Sequence, residues 1–180
     1  MKKKALTAIV FAIPLLAFSV RVATTTGNED ATGSKKTGIQ WTTFDKGMDQ
    51  AKKEKKLLVV DFYTDWCHWC RVMDKETYGD QAVVEYAKDK IVMAKLNAET
   101  SEKFRFKEAQ YSGRELSMIF GVTGFPTTVF MSADGEFLTK VSGFIPADKF
   151  RTILKYFTEN WHEKMKFDEF EKKQASKNKS

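Results

Sequence analysis

Blocks of apolar residues alternate with polar stretches along the chain, and their spacing predicts both strands and helices. Residues 57–64 include Leu57, Leu58, Val59, Val60, Phe62 and Tyr63 with little interruption, the pattern of a buried strand. Residues 91–96 and 127–131 repeat it, the second introduced by Pro126. Residues 39–42 are expected to add a short first strand. Between the strands the period changes. Phe44, Met48 and Ala51 keep helical spacing over residues 44–56. Arg71 to about Lys88 reads as a helix with Val72, Met73, Val83, Val84 and Ala87 facing the core and a break near Gly79-Asp80. Ser112-Gly113-Arg114-Glu115 has the form of a capping box and opens a helix through Phe120. Asp134-Gly135 is a turn signal, so residues 137–141 should run antiparallel to the strand before it. Phe150, Ile153, Leu154, Phe157 and Trp161 form one stripe and predict a closing helix over residues 148–161. Met165 continues the stripe while Phe167 and Phe170 leave it, so a bend into a separate terminal helix is expected before a polar tail from Lys172. The mixed stretch 97–111 is expected to hold a short helix. The element order is β-α-β-α-β-α-β-β-α, an α/β fold whose central mixed sheet is flanked by helices.

Composition adds a division of the chain. Of 180 residues, 42% are apolar and fifteen are phenylalanine, enough for one globular core. Lys2-Lys3-Lys4 precedes an apolar run from Ala5 to Phe18, the layout of a secretory signal over residues 1–19. An uncleaved N-terminal membrane anchor is the alternative, and would have to bury Arg21. Residues 20–38 are rich in Thr, Gly, Ser and charge and read as a flexible linker. Residues 39–161 then form the domain, and residues 162–180 the terminal helix and tail. The net charge of +6 falls to +3 once residues 1–19 and their three lysines are set aside. That excess is no nucleic-acid footprint. A periplasmic or secreted location follows from the leader.

The candidate chemistry lies in Cys67-His68-Trp69-Cys70, which holds the only two cysteines. The pair sits where the strand ending near Thr64 meets the next helix. A sulfur at a helix N-terminus has its thiolate stabilised by unpaired N–H groups and the helix dipole. The second sulfur lies one turn deeper and can close a disulfide with the first, which is the equipment for thiol–disulfide exchange. A structural bridge over so short a loop would contribute only about 2 kcal/mol. A structural zinc site needs four ligands, and His68 and His162 are the only histidines. Attached haem needs His after the second cysteine, where this chain has Arg71.

These residues resemble the thioredoxin-fold family over about residues 39–161. The run Asp61-Phe62-Tyr63-Thr64-Asp65-Trp66-Cys67-His68-Trp69-Cys70 carries the likeness. So do Gly121-Val122-Thr123-Gly124-Phe125-Pro126-Thr127 and the hairpin signals Asp134-Gly135 and Val141-Ser142-Gly143. With Met73-Asp74-Lys75-Glu76-Thr77-Tyr78 added, the chain is most similar to exported thioredoxin-like proteins and the periplasmic C-terminal domains of DsbD reductants. The resemblance implies an exported protein disulfide reductase, with an exposed Cys67 as nucleophile and Cys70 as resolving thiol. Asp61 corresponds to the family's buried acid, and Pro126 to its cis-proline beside Phe125. Trp66, His68, Trp69, Phe125 and Pro126 are the implied substrate-binding residues. His68-Trp69 replaces the Gly-Pro of ordinary thioredoxins. The resemblance implies no cofactor or metal, protein thiols and disulfides as partners, a membrane electron donor, no nucleic acid, and a monomer. Two alternatives stay open. One is a disulfide oxidase or isomerase, the other a non-catalytic peptide-binding or chaperone module.

Overall fold

The computed structural model describes residues 38–177. The expected signal at residues 1–19 and, but for Gly38, the linker at residues 20–38 lie outside the described residues. Among the described residues no helix is long and apolar enough to cross a membrane.

Among the described residues seven strands form two sheets. β1 (Trp41–Thr42), β2 (Leu57–Tyr63), β3 (Ile91–Asn97), β6 (Thr127–Met131) and β7 (Phe137–Ser142) make one five-stranded sheet in the order β1-β3-β2-β6-β7. β1, β3 and β2 run parallel, while β6 is antiparallel to β2 and β7 to β6. The two apolar runs in β2 and β6 lie at the centre because both their faces are covered, and every residue of β6 is buried. On one face, α1 (Phe44–Glu54) and α4 (Gly113–Ile119) enclose Phe44, Phe62, Leu116, Phe120 and Val129. On the other, α2 (His68–Glu76), α3 (Gln81–Ala87) and α5 (Ala147–Thr158) cover Val59, Met73, Phe130, Phe150 and Leu154.

The break at Gly79-Asp80 is real: Asp80 caps α3, its side chain accepting from the Val83 N–H at 2.9 Å. The capping box at Ser112 is also formed, with Glu115 Oε2 accepting from the Ser112 N–H at 2.6 Å. Gly113 follows it because a Cβ there would lie 2.1 Å from the Asn97 carbonyl oxygen.

Three expectations need correction. Residues 97–111 hold no helix; they fold as a second sheet, the hairpin β4 (Lys103–Phe106) and β5 (Ala109–Ser112). The reason is visible in burial: Lys103 and Arg105 are exposed while Phe104 and Phe106 enter the core, a period of two. The closing helix stops at Thr158, short of Trp161. Asn160 takes a left-handed conformation, φ 54°, and Trp161 falls in a short 3-10 turn. Finally, α6 (Phe167–Lys177) extends into the expected polar tail as far as Lys177, over Lys, Gln and Ala residues that favour helix. Its Phe170 is fully buried in the α5 face of the core.

Candidate active site

β2 delivers the cysteines. Its last residue, Tyr63, leads through Thr64, Asp65 and Trp66 to Cys67, which serves as N-cap of α2: its Sγ accepts from the Cys70 N–H at 3.1 Å. The helix therefore starts at His68, three residues earlier than the sequence pattern indicated, because the sulfur itself satisfies one of its free N–H groups. Cys67 and Cys70 are joined as a disulfide with their Cα atoms 5.3 Å apart. Both are only 4% exposed. This corrects the expectation of an exposed Cys67. In the disulfide form the sulfurs face one another, and large aromatic side chains stand on either side of Cys67 in the chain.

Those aromatics remain in solvent. Trp66 is 65% and Trp69 56% exposed. Trp66 packs edge-on to Phe125 at 6.0 Å, and its indole N–H donates to Glu99 Oε2 at 2.9 Å. Trp69 touches the His68 ring at 5.8 Å and Phe144 at 5.9 Å. The Phe125–Pro126 peptide bond is cis, and the Gly143 N–H donates to the Pro126 carbonyl at 2.8 Å. Trp69, Phe125, Pro126, Gly143 and Phe144 thereby line a small cavity of about 280 Å³. His68 is exposed and enters no hydrogen bond among the described residues. Asp65 is exposed too, its carboxylate accepting from Asn97 Nδ2 at 3.1 Å. No group of three or more His, Cys, Asp or Glu is placed to hold a metal among the described residues.

Asp61 is the buried acid of the site, 1% exposed on β2. Register decides its neighbours: Lys95 of β3 and Thr128 of β6 stand directly opposite it. Lys95 Nζ lies 3.8 Å from Asp61 Oδ2 but is drawn more closely to Asp74 on α2. Asp61 Oδ1 has no hydrogen-bond partner among the described residues. Loss of solvent pushes the Asp61 pKa up to about 7. Lys95 pulls against that rise, Asp74 adds to it, and the Tyr78 hydroxyl offsets a little. Tyr78, fully enclosed, shares a 3.3 Å contact with the Thr128 hydroxyl. Its own pKa is held well above the ordinary value by burial and by Asp61.

Sequence reasoning missed Lys95, Tyr78, Thr128 and Phe144. Lys95 had a signal, a lone charge inside the apolar run of β3; the others become neighbours of the site only through strand pairing and chain return.

The sheet order, the cis-proline loop and a Cys-x-x-Cys at the N-terminus of the helix after β2 define a thioredoxin fold with a dithiol–disulfide couple. A family model described as a thioredoxin-like domain matches residues 44–158, and the chain belongs to that family. It is 32% identical over 101 residues to the thiol:disulfide interchange protein DsbD of Actinobacillus pleuropneumoniae serotype 5b (strain L20), covering 55% of this chain and 16% of DsbD. It is 27% identical over 109 residues to the disulfide bond reductase DsbH of Chlamydia pneumoniae, covering 60% of this chain and 64% of DsbH. The chain thus spans a small part of DsbD and less than two thirds of DsbH. A solved thioredoxin-fold protein from Helicobacter pylori superposes with a TM-score of 0.60 at 23% identity, over 68% of this chain and 81% of that one.

Proposed function

We propose that this protein is an exported thiol–disulfide oxidoreductase acting as a protein disulfide reductase. The observation that carries the reading is the Cys67–Cys70 disulfide at the start of α2, with buried Asp61, pKa about 7, on the strand leading to it. The names of the two relatives, an interchange protein and a reductase, support it.

In the reduced protein, the Cys67 thiolate attacks one sulfur of a substrate disulfide. A Cys67–substrate mixed disulfide forms and the first substrate thiolate leaves. Cys70 then gives its proton to the Asp61 carboxylate and attacks Cys67 Sγ. The second substrate thiolate departs, the substrate has gained two electrons, and the protein is left oxidised. A membrane donor restores the dithiol. Trp66, His68, Trp69, Phe125 and Pro126 receive the substrate chain, the backbone at Phe125 pairing with it as a strand. Cys67 is the attacking thiol because its sulfur stands at the helix terminus, where a thiolate is stabilised.

The oxidase alternative would be favoured by helices inserted for substrate binding, and the 97–111 stretch folds as a hairpin instead. Insulin reduction with a thiol donor, together with the redox potential, tests the reading. Turnover is expected, with a potential nearer thioredoxin's, about −270 mV, than the oxidant DsbA's, about −120 mV. A potential at the oxidising end without turnover would assign an oxidase. Peptide binding without turnover would assign a chaperone. In the native host the mature chain is expected to begin near Val20, outside the cytoplasm; Lys2 retained on a soluble cytoplasmic form would refute export.

A further inference from the structure

A second cavity opens on the far side of Phe144, and the redox step makes no use of it. β7 is the outer strand of the sheet, paired on one side by β6 and on the other by no strand among the described residues. Between β7 and α5 lies a groove of about 710 Å³. Leu138, Val141 and Ile145 form one wall and Ile153, Tyr156 and Phe157 the other. His162 and Phe167 complete the lining, and Nδ1 of His162 is buried without a hydrogen-bond partner among the described residues.

Phe144 lines this groove and also the smaller cavity beside Trp69, Phe125 and Pro126. Phe144 is thus the wall common to both spaces, which adjoin at that side chain. The segment that joins them is held in place: the Thr77 hydroxyl donates to the Ile145 carbonyl at 2.5 Å, in the interior. An exposed strand edge beside an apolar groove is what an extended polypeptide needs. Its backbone pairs with the edge, and alternate side chains turn into the groove.

We propose that the groove between β7 and α5 extends the substrate site. It takes a segment of the substrate polypeptide laid along β7 and seats one large apolar side chain. From Leu138 to Ser142 the strand rises about 13 Å, so a segment laid along it seats that side chain about three to six residues from the substrate's cysteine. The His162 side chain, at the end of the lining, is a reporter for that segment. This inference rests on the reading of Cys67–Cys70 as a couple acting on protein disulfides. A second copy of this chain pairing along β7 is the rival occupant, but it would cover Phe144 and obstruct the approach to the sulfurs.

The test offers the reduced protein three disulfides: a small aromatic disulfide, a disulfide-linked peptide of about ten residues with Phe or Leu at those positions on both sides of cysteine, and its serine counterpart. The apolar peptide should exceed the serine peptide about tenfold in kcat/KM. Phe167→Glu should bring that ratio toward one, and because it is a ratio on one variant, a general loss of fold or redox activity cancels. A ratio of one in the wild type overturns the proposal. Failure to reduce even the small disulfide would instead defeat the redox reading. A cysteine-free copy of the apolar peptide then decides the binding question independently, by titration into isotope-labelled protein. Amide shifts at Thr139 and Val141 and a shift of the His162 ring nitrogens are expected. Shifts confined to Trp69, Phe125 and Phe144 overturn the proposal, as does a stable dimer whose β7 resonances the peptide leaves unmoved.

Discussion

Asp61→Asn isolates the electrostatic cost of the buried acid. In the wild type the Asp61 carboxyl, ordinarily 3.8, titrates at about 7 because burial strips its water and Lys95, at 3.8 Å, compensates only in part. That displacement corresponds to about 4 kcal/mol between the two protonation states. The sign follows from proton counting. The unfolded chain releases this proton near pH 4, and the folded chain holds it until about pH 7, so between those limits the folded state binds more protons. Stability therefore falls as pH rises through the window, and the whole cost is present above it. Asparagine keeps the shape and does not titrate. The variant should match the wild type within about 0.5 kcal/mol at about pH 4 and exceed it by about 2–4 kcal/mol at about pH 8, the lower figure allowing for amide hydrogens left unmatched. Urea denaturation of the disulfide form at several pH values gives the difference directly. Two stability curves that stay parallel from pH 4 to 8 would refute the argument, because they would show that Asp61 has the same proton affinity folded and unfolded.

The two charges flanking Asp61 should act in opposite directions on its titration, followed by carboxyl NMR. Lys95→Met should raise its pKa further, and Asp74→Asn should lower it by removing a repulsion and freeing Lys95 to approach. Alkylation of the reduced protein should label Cys67 first, and Cys70→Ser should accumulate mixed disulfides with substrate; preferential labelling of Cys70 would reverse the assignment. At the first position of α2, a protonated His68 favours the reduced pair, so His68→Gly should make the potential more negative, about 30 mV for each tenfold change in the equilibrium. Gly113→Ala should cost about 2 kcal/mol or more in thermal or urea unfolding, since its Cβ would press on the Asn97 carbonyl.

What the sequence disclosed follows the range of the forces involved. β2 and β6 were legible because their burial on both faces demands continuous apolar runs, and the Phe150–Ile153–Leu154–Phe157 stripe because a helix repeats its buried face locally. The hairpin at Lys103–Phe106 was missed although Phe104 and Phe106 alternate with exposed charges, since four residues give too short a sample of that period to displace the helical reading. The redox pair was legible because its sulfurs are neighbours in the chain as well as in space. Asp61 was found only through its fixed offset from Cys67. Lys95, Tyr78 and Thr128 are set around it by pairing between strands and by the return of the chain after α2, and no local pattern encodes that register.

That register also explains why Asp61 is poised near neutrality instead of being locked in one state. A direct, well-made ion pair lowers a carboxyl by one to three pH units, whereas full burial without a partner raises it by several. Here the cation sits opposite Asp61 on β3, yet it leans toward Asp74, an exposed acid on α2. Lys95 therefore cancels part of the burial effect and no more. A slip of one residue between β2 and β3 would turn Lys95 to the other face of the sheet and leave the burial penalty and the Asp74 repulsion at Asp61 without that cation. In the proposed mechanism a carboxyl with a pKa of about 7 would accept a proton when Cys70 must ionise and return it when the disulfide is reduced. Both halves of the proposed exchange cycle need that proton, in opposite directions, and the balance of burial, Lys95 and Asp74 at Asp61 would suit both.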